Sequence, residues 1–344
     1  SYILMRLLNS DQHIQIESLS EEMNVSRGTV NNDLKKIKQI LSGYDVVFYG
    51  QSGKGLLVSG KEYDKRILLL KYVYDYFPDS FELISNIREA IDLISKHSKL
   101  NVVHSGLLLK NTAISVKRMC LGHDVEAVPY YINYEQSSET LSNLFRLVEE
   151  TYSIQLSELE KDFLSYPVNI RTTSYVNPNT LIPHEPMARL LFDKIIHEIR
   201  QRIYVDLDEK DLFDSMKYHM MLLINRIVFH TENVDSFWEE LINGYPLSVQ
   251  LSKIAVEVLE KELNRTISDI EISYLAVYFE LSLKAKNEKD PKKIAIVCST
   301  GRGTTQLIRK RIAELFGDGL NITEYSEYDY HHQDFSKFHI VFSS

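Results

Sequence analysis

Residues 293 to 305, KIAIVCSTGRGTT, carry an apolar strand pattern into a cysteine and a glycine turn, and the amphipathic pattern TTQLIRKRIAELF follows. That order sets Cys298 at a helix N-terminus. Unpaired backbone N–H groups and a partial positive charge there favour both a thiolate and a phosphoryl group. Cys298 is therefore a candidate phosphocysteine, with Ser299, Thr300, Gly301, Arg302, Gly303, Thr304 and Thr305 as its anion loop. Spacing removes other anion loops. Gln306 stands where a dinucleotide fingerprint needs its third glycine, and no lysine precedes Thr304 as a nucleotide-binding loop requires. Thr304 also sits where a cysteine phosphatase carries its arginine, and Arg302 comes too early. A second reading stays open, in which Cys298 is a small buried residue ending a core strand.

Another reactive side chain emerges from an internal repeat. KNTAISVKR at 110–118 aligns with YHMMLLINR at 218–226, so Asn111 matches His219 and Arg118 matches Arg226. Each pair lies seven residues apart, hence on one helix face. Further on, ELEKDFLSYPVNI aligns with DIEISYLAVYFEL, matching Glu160 with Glu271, Phe163 with Tyr274 and Pro167 with Tyr278. Arg226 with Glu271, and Arg118 with Glu160, are either buried pairs linking two helices or exposed charges. On composition alone His219, among Met220, Met221, Leu222 and Leu223, reads as a core or interface residue. The other histidines have neither repeat partners nor metal-ligand spacing, and no metal or cofactor is expected.

Near the start, IESLSEEM reads as a short helix, Asn24 as a turn, and SRGTVNNDLKKIKQIL as a longer helix capped by Ser26. Val25 and Val30 have the spacing of a hydrophobic staple. Val30, Leu34, Ile37 and Leu41 form the inward stripe. The opposite face carries Asn31, Asn32, Lys35 and Lys36, with Arg27 at the exposed end, the division of faces that a helix in a major groove requires. YDVVFYG and GLLVSG follow as strands around a glycine-rich tip with Lys54, a candidate wing. Arg27, Asn31, Asn32 and Lys35 are expected near base edges, and Ser26, Thr29, Lys36 and Lys54 near phosphates. The other reading is a three-helix domain with a solvated face.

The rest of the chain bounds these readings. At 344 residues it should hold two to four domains. Residues 1–60 are neutral, with six basic and six acidic side chains, so the net charge of −9 arises beyond them. Within residues 26–42 four basic side chains face Asp33 alone, a local positive footprint. No run of eighteen apolar residues and no signal-peptide layout occur, and two cysteines make no disulfide framework. A cytoplasmic protein without membrane insertion is expected. No Ser/His/Asp or paired-carboxylate arrangement stands out, and the chain is expected not to be an enzyme.

The Cys298 loop resembles the enzyme IIB domains of the bacterial phosphotransferase system (PTS), whose Cys-x-x-Gly-x-Gly-Thr-Ser turn carries phosphocysteine. The N-terminal segment resembles the helix-turn-helix domains of bacterial operon regulators, and Gly60, Glu62 and Arg66 resemble their junction into a regulatory half. The helical repeat resembles the PTS regulation domains (PRDs) of sugar-operon regulators of the mannitol and lichenan activator type, within the antiterminator and activator superfamily. This resemblance implies a mainly α protein of four modules: a winged helix-turn-helix over 1–62, PRDs over 63–178 and 183–290, and the start of an α/β enzyme IIB-like domain over 292–344. A complete module of that last kind needs more sequence, so the chain is expected to be part of a longer protein.

In that family each PRD has two phosphorylatable histidines, at the Asn111/His219 and Pro167/Tyr278 positions. Only His219 keeps an imidazole here. The resemblance thus implies a dimeric, duplex-DNA-binding regulator, an activator by analogy, phosphorylated on His219 by HPr and on Cys298 through enzyme II components. A phosphotransferase component bearing phosphate on Cys298 and an RNA-binding antiterminator are the alternatives. The recognition helix and wing speak against both.

Overall fold

The computed structural model describes residues 1–51, 53–134, 138–170, 181–231, 244–285, 293–298, 308–309, 311–312, 320–326 and 333–343. It divides into two compact units, Ser1–Asn169 and Ile170–Ser344.

The first unit begins with α1 (Tyr2–Leu8), α2 (Ile16–Glu22) and α3 (Arg27–Leu41), then the antiparallel pair β1 (Val46–Gln51) and β2 (Gly55–Gly60). Asn24 ends α2 with φ 52°, a left-handed conformation that asparagine tolerates better than most residues. Ser26 is extended, and its hydroxyl accepts the Thr29 N–H at 3.1 Å, so α3 starts where the capping pattern placed it. Val30, Leu34, Ile37 and Leu41 are its buried residues, as their spacing requires. Ile14 bridges to Leu56 through two backbone hydrogen bonds of 2.8 Å and anchors the wing. Gly55 makes this approach possible. Its φ is +103°, and a Cβ there would stand 2.6 Å from the Ile14 carbonyl oxygen.

Among the described residues, five α-helices follow: α4 (Glu62–Tyr72), α5 (Ser85–His97), α6 (Val102–Cys120), α7 (Glu139–Tyr152) and α8 (Glu158–Asn169). One hydrophobic cluster runs from Leu4 and Leu34 through Leu68 to Ile114 and Leu144, so the winged segment and the bundle share a core.

The second unit holds α9 (Glu185–Arg202), α10 (Glu209–Val228), α11 (Pro246–Leu263), α12 (Asp269–Ala285) and the strands β3 (Lys293–Cys298), β4 (Asn321–Ser326) and β5 (Ile340–Ser343). The strands form a sheet in the order β4-β3-β5, parallel throughout. Ile294, Ala295, Ile296 and Val297 are all buried, as a central strand covered on both faces demands.

The two bundles repeat one another in fine geometry. α6 packs on α8 as α10 packs on α12. Ser153 and Asn264, both left-handed, close α7 and α11. Seven residues apart in each copy, Glu149 accepts the Leu156 N–H at 2.9 Å and Glu260 accepts the Ile267 N–H at 2.8 Å. The ends of α6 and α10 match as well: His123 N–H bonds to the Arg118 carbonyl and Thr231 N–H to that of Arg226, at 3.1 and 2.9 Å. No helix among the described residues is long and apolar enough to cross a membrane.

Candidate DNA-reading helix and phosphoacceptor sites

Arg27, Thr29, Asn31, Asn32, Lys35 and Lys36 lie exposed on α3 with Ser26 at its cap, and Lys54 is exposed at the wing tip. The helix thus presents amides and cations outward while its apolar stripe enters the core. Three contacts set this face, and the helical periodicity did not disclose them. Glu17 of α2 holds the Arg27 guanidinium at 2.9 Å. The Lys38 ammonium sits 4.8 Å from the centre of the Phe48 ring, tying the recognition helix to β1. The Ser26 and Thr29 hydroxyls lie 3.0 Å apart, so both serve the cap and are partly engaged before any phosphate arrives. Asp33 stands 3.9 Å from Lys36, a loose pair that leaves this ammonium available.

His219 sits on α10, only 2% exposed. Its ring centre lies 5.7 Å from that of Tyr274 and 5.4 Å from that of Tyr278, both on α12. Its Nε2 is 3.9 Å from a Glu271 oxygen. One helical turn pair further along α10, Arg226 donates Nε to Glu271 Oε1 at 2.9 Å and Nη2 to Oε2 at 3.0 Å, the fork geometry that fits a carboxylate. Of the two readings of Arg226 and Glu271, the buried pair is the one present. Burial pushes the Tyr278 hydroxyl well above its usual pKa, with Arg226 pulling the other way, so it stays neutral beside the pair. A phosphoryl group on His219 would face Glu271 and compete for Arg226.

The aligned positions of the first bundle hold different chemistry. Pro167 lies inside α8 and has no N–H to give the carbonyl four residues back. That carbonyl, of Phe163, accepts instead from the Asn111 side-chain amide at 2.9 Å. Two positions where the family resemblance implies phosphoacceptors are thus spent on each other.

Neither reading of Arg118 and Glu160 holds, because both are buried but each is paired elsewhere. Arg118 grips Glu62 at 2.8 and 2.7 Å, while Glu160 is held by Arg66 at 2.6 and 2.7 Å. The reason is α4, which precedes the repeated helices and inserts a second arginine and a second carboxylate between the two partners.

Cys298 ends β3, the central strand, in register with Ser326 of β4. Its neighbours β4 and β5 flank β3 on opposite sides, and ligands of open parallel sheets bind at the carboxyl ends of strands where the order switches. The Cys298 side chain and the loop Ser299 to Thr305 lie outside the described residues.

Comparisons with known proteins agree with this architecture. A family model described as HTH domain matches residues 1–56, and one described as PRD domain matches residues 193–282. Among curated relatives, the "Probable licABCH operon regulator" of Bacillus subtilis (strain 168) is 25% identical over 349 aligned positions, covering 95% of this chain and 54% of the relative. The "Transcriptional regulator ManR" of the same organism is 22% identical, covering 90% of this chain and 51% of the relative. The chain spans about half the length of the curated relatives it matches. The chain thus joins an HTH match over its first 56 residues to a PRD match lying within α9 to α12, in a mostly helical fold with small sheets.

Proposed function

We propose that the chain is part of a cytoplasmic, dimeric transcription activator of a sugar-utilisation operon, controlled by PTS phosphorylation. The single observation that supports this most is α3: a capped helix with Arg27, Asn31, Asn32, Lys35 and Lys36 outward, beside a wing carrying Lys54, within the HTH match. The four-module division, with a degenerate first PRD over 63–178 and an enzyme IIB-like start over 292–344, belongs to the same proposal.

Control at the second bundle rests on charge. Phosphorylation of His219 by HPr brings about 1.5 to 2 negative charges next to Glu271. Repulsion from that carboxylate and attraction to Arg226 break the α10–α12 pair and expose apolar surface, which a second copy can cover. Phosphorylation of Cys298 through enzyme II components signals absence of the sugar and opposes activation.

Binding of the full protein to its own promoter, measured against salt, tests the reading. Log affinity falls by about 0.9 per neutralised phosphate per log unit of salt, so Lys36→Ala should lower the slope by about one and leave sequence preference intact. Arg27→Ala should relax the preference. Equal binding to promoter and random duplex at moderate salt would remove the DNA reading. Incubation with enzyme I, HPr and phosphoenolpyruvate, followed by mass spectrometry, tests the phosphoacceptors: His219→Ala should abolish label in residues 183–290 and spare Cys298. Phosphate on His197 or His184 with His219 bare would refute that assignment.

A further inference from the structure

In the first unit four ionised side chains, none more than 5% exposed, join the DNA-binding segment to the helical bundle. Arg118 Nη1 donates to the Leu8 carbonyl at 2.9 Å and to Asn9 Oδ1 at 3.0 Å, satisfying the last turn of α1 with a cation at its negative end. Its remaining donors hold both oxygens of Glu62. Glu62 also accepts from Arg66 Nε at 3.1 Å, and Arg66 grips Glu160. Residues 123–126 close the chain of contacts. The His123 carbonyl accepts from Arg66 at 2.8 Å, Val125 N–H donates to Glu160 at 2.7 Å, and the Glu126 carboxylate accepts the Glu62 N–H at 2.8 Å.

Two cations and two anions balance only while every link is made. A buried charge that loses its partner is strongly unfavourable, so the arrangement tends toward complete or broken rather than half-formed. From α1 the contacts continue to the DNA face. Arg6 and Tyr2 hold Glu22 of α2 at 2.8 Å, and Glu17 of α2 holds Arg27 of α3.

We propose that this buried chain is the joint by which the first bundle holds and orients the DNA-binding domain, with residues 123–126 as its catch. The proposal rests on the regulator reading and adds where control enters: a partner or modification that lifts the catch frees Arg66 and Glu160, then Glu62 and Arg118, then the end of α1.

Hydrogen exchange on the full protein tests it through Glu126→Ala, an exposed change that touches no residue of 1–60. Exchange at residues 5–12 should rise by about threefold or more together with 121–128, while α9 to α12 keep their rates. Acceleration confined to residues 62–66 and 121–128 would overturn the joint. Arg118→Lys keeps the charge but loses the fork, and should speed exchange at residues 5–12 by about tenfold. It should weaken promoter binding with an unchanged salt slope, since no phosphate contact is lost. If that variant fails to fold, Glu126→Ala decides alone. A wild-type protein without promoter preference would sink the DNA reading, and exchange would still decide the joint.

Discussion

The two helical bundles share helix packing, left-handed helix ends and carboxylate caps, yet they use their aligned arginines differently. In the first, Arg118 turns to Glu62 and the end of α1, and a second arginine takes Glu160. In the second, Arg226 keeps Glu271, with an imidazole 3.9 Å from the same carboxylate. One repeat thus carries a chain of four buried charges, and the other a single buried arginine–glutamate pair beside an imidazole. The lesson is that a repeated packing scheme leaves the choice of ionic partner free.

The sharpest test of this contrast is Arg66→Ala. It leaves Glu160, 1% exposed, without its cation, and should cost the first unit about 3–5 kcal/mol in denaturant unfolding. Arg226→Ala should cost less, about 2–3 kcal/mol, because His219 remains near Glu271. Equal losses would mean that His219 lends the carboxylate nothing. Next comes alkaline pH. The folded pKa of Tyr278 is raised by burial, so its contribution is complete below the unfolded value of about 10 and is lost as pH climbs beyond it, by up to about 1.4 kcal/mol per pH unit. Tyr278→Phe should remove that slope from the second unit and leave the first unit's alkaline limb, where Tyr166 is likewise raised by burial, unchanged. The smallest effects should be the most alike. Glu149→Ala and Glu260→Ala each remove the same cap and should each cost about 1 kcal/mol. A large disparity would show that the repeat does not extend to its helix ends.

Much of this was legible from spacing. Periodicity located α3 and its buried stripe, and Ser26 announced the cap because a side-chain oxygen before an apolar run has one local use. The repeat alignment named Arg226 and Glu271 together, but left a buried pair and two exposed charges open. For Arg118 the same alignment offered a buried pair with Glu160 or an exposed charge, and neither holds. Helical spacing states which side of a helix a residue faces, but not which of two carboxylates reaches it first. Glu62 and Arg66 read only as a junction, and α4 has no counterpart in the alignment to reveal its part. The Lys38–Phe48 and Glu17–Arg27 contacts were hidden for a related reason: they join elements at distances set by tertiary packing, with no periodic trace. The depth of His219 was visible in its apolar neighbours, and the two tyrosine rings that enclose it required α12 to be placed.

The Asn111–Pro167 arrangement bears on what either position can be changed to. Pro167 offers no N–H, and the Asn111 amide donates to the Phe163 carbonyl instead. A change at one position therefore has consequences at the other. Histidine at 111 would forfeit the amide while the proline still denies the carbonyl its helical partner. A residue with an N–H at 167 would compete with the amide for the same oxygen. The two positions are therefore coupled, because a change at either alters which donor the Phe163 carbonyl meets.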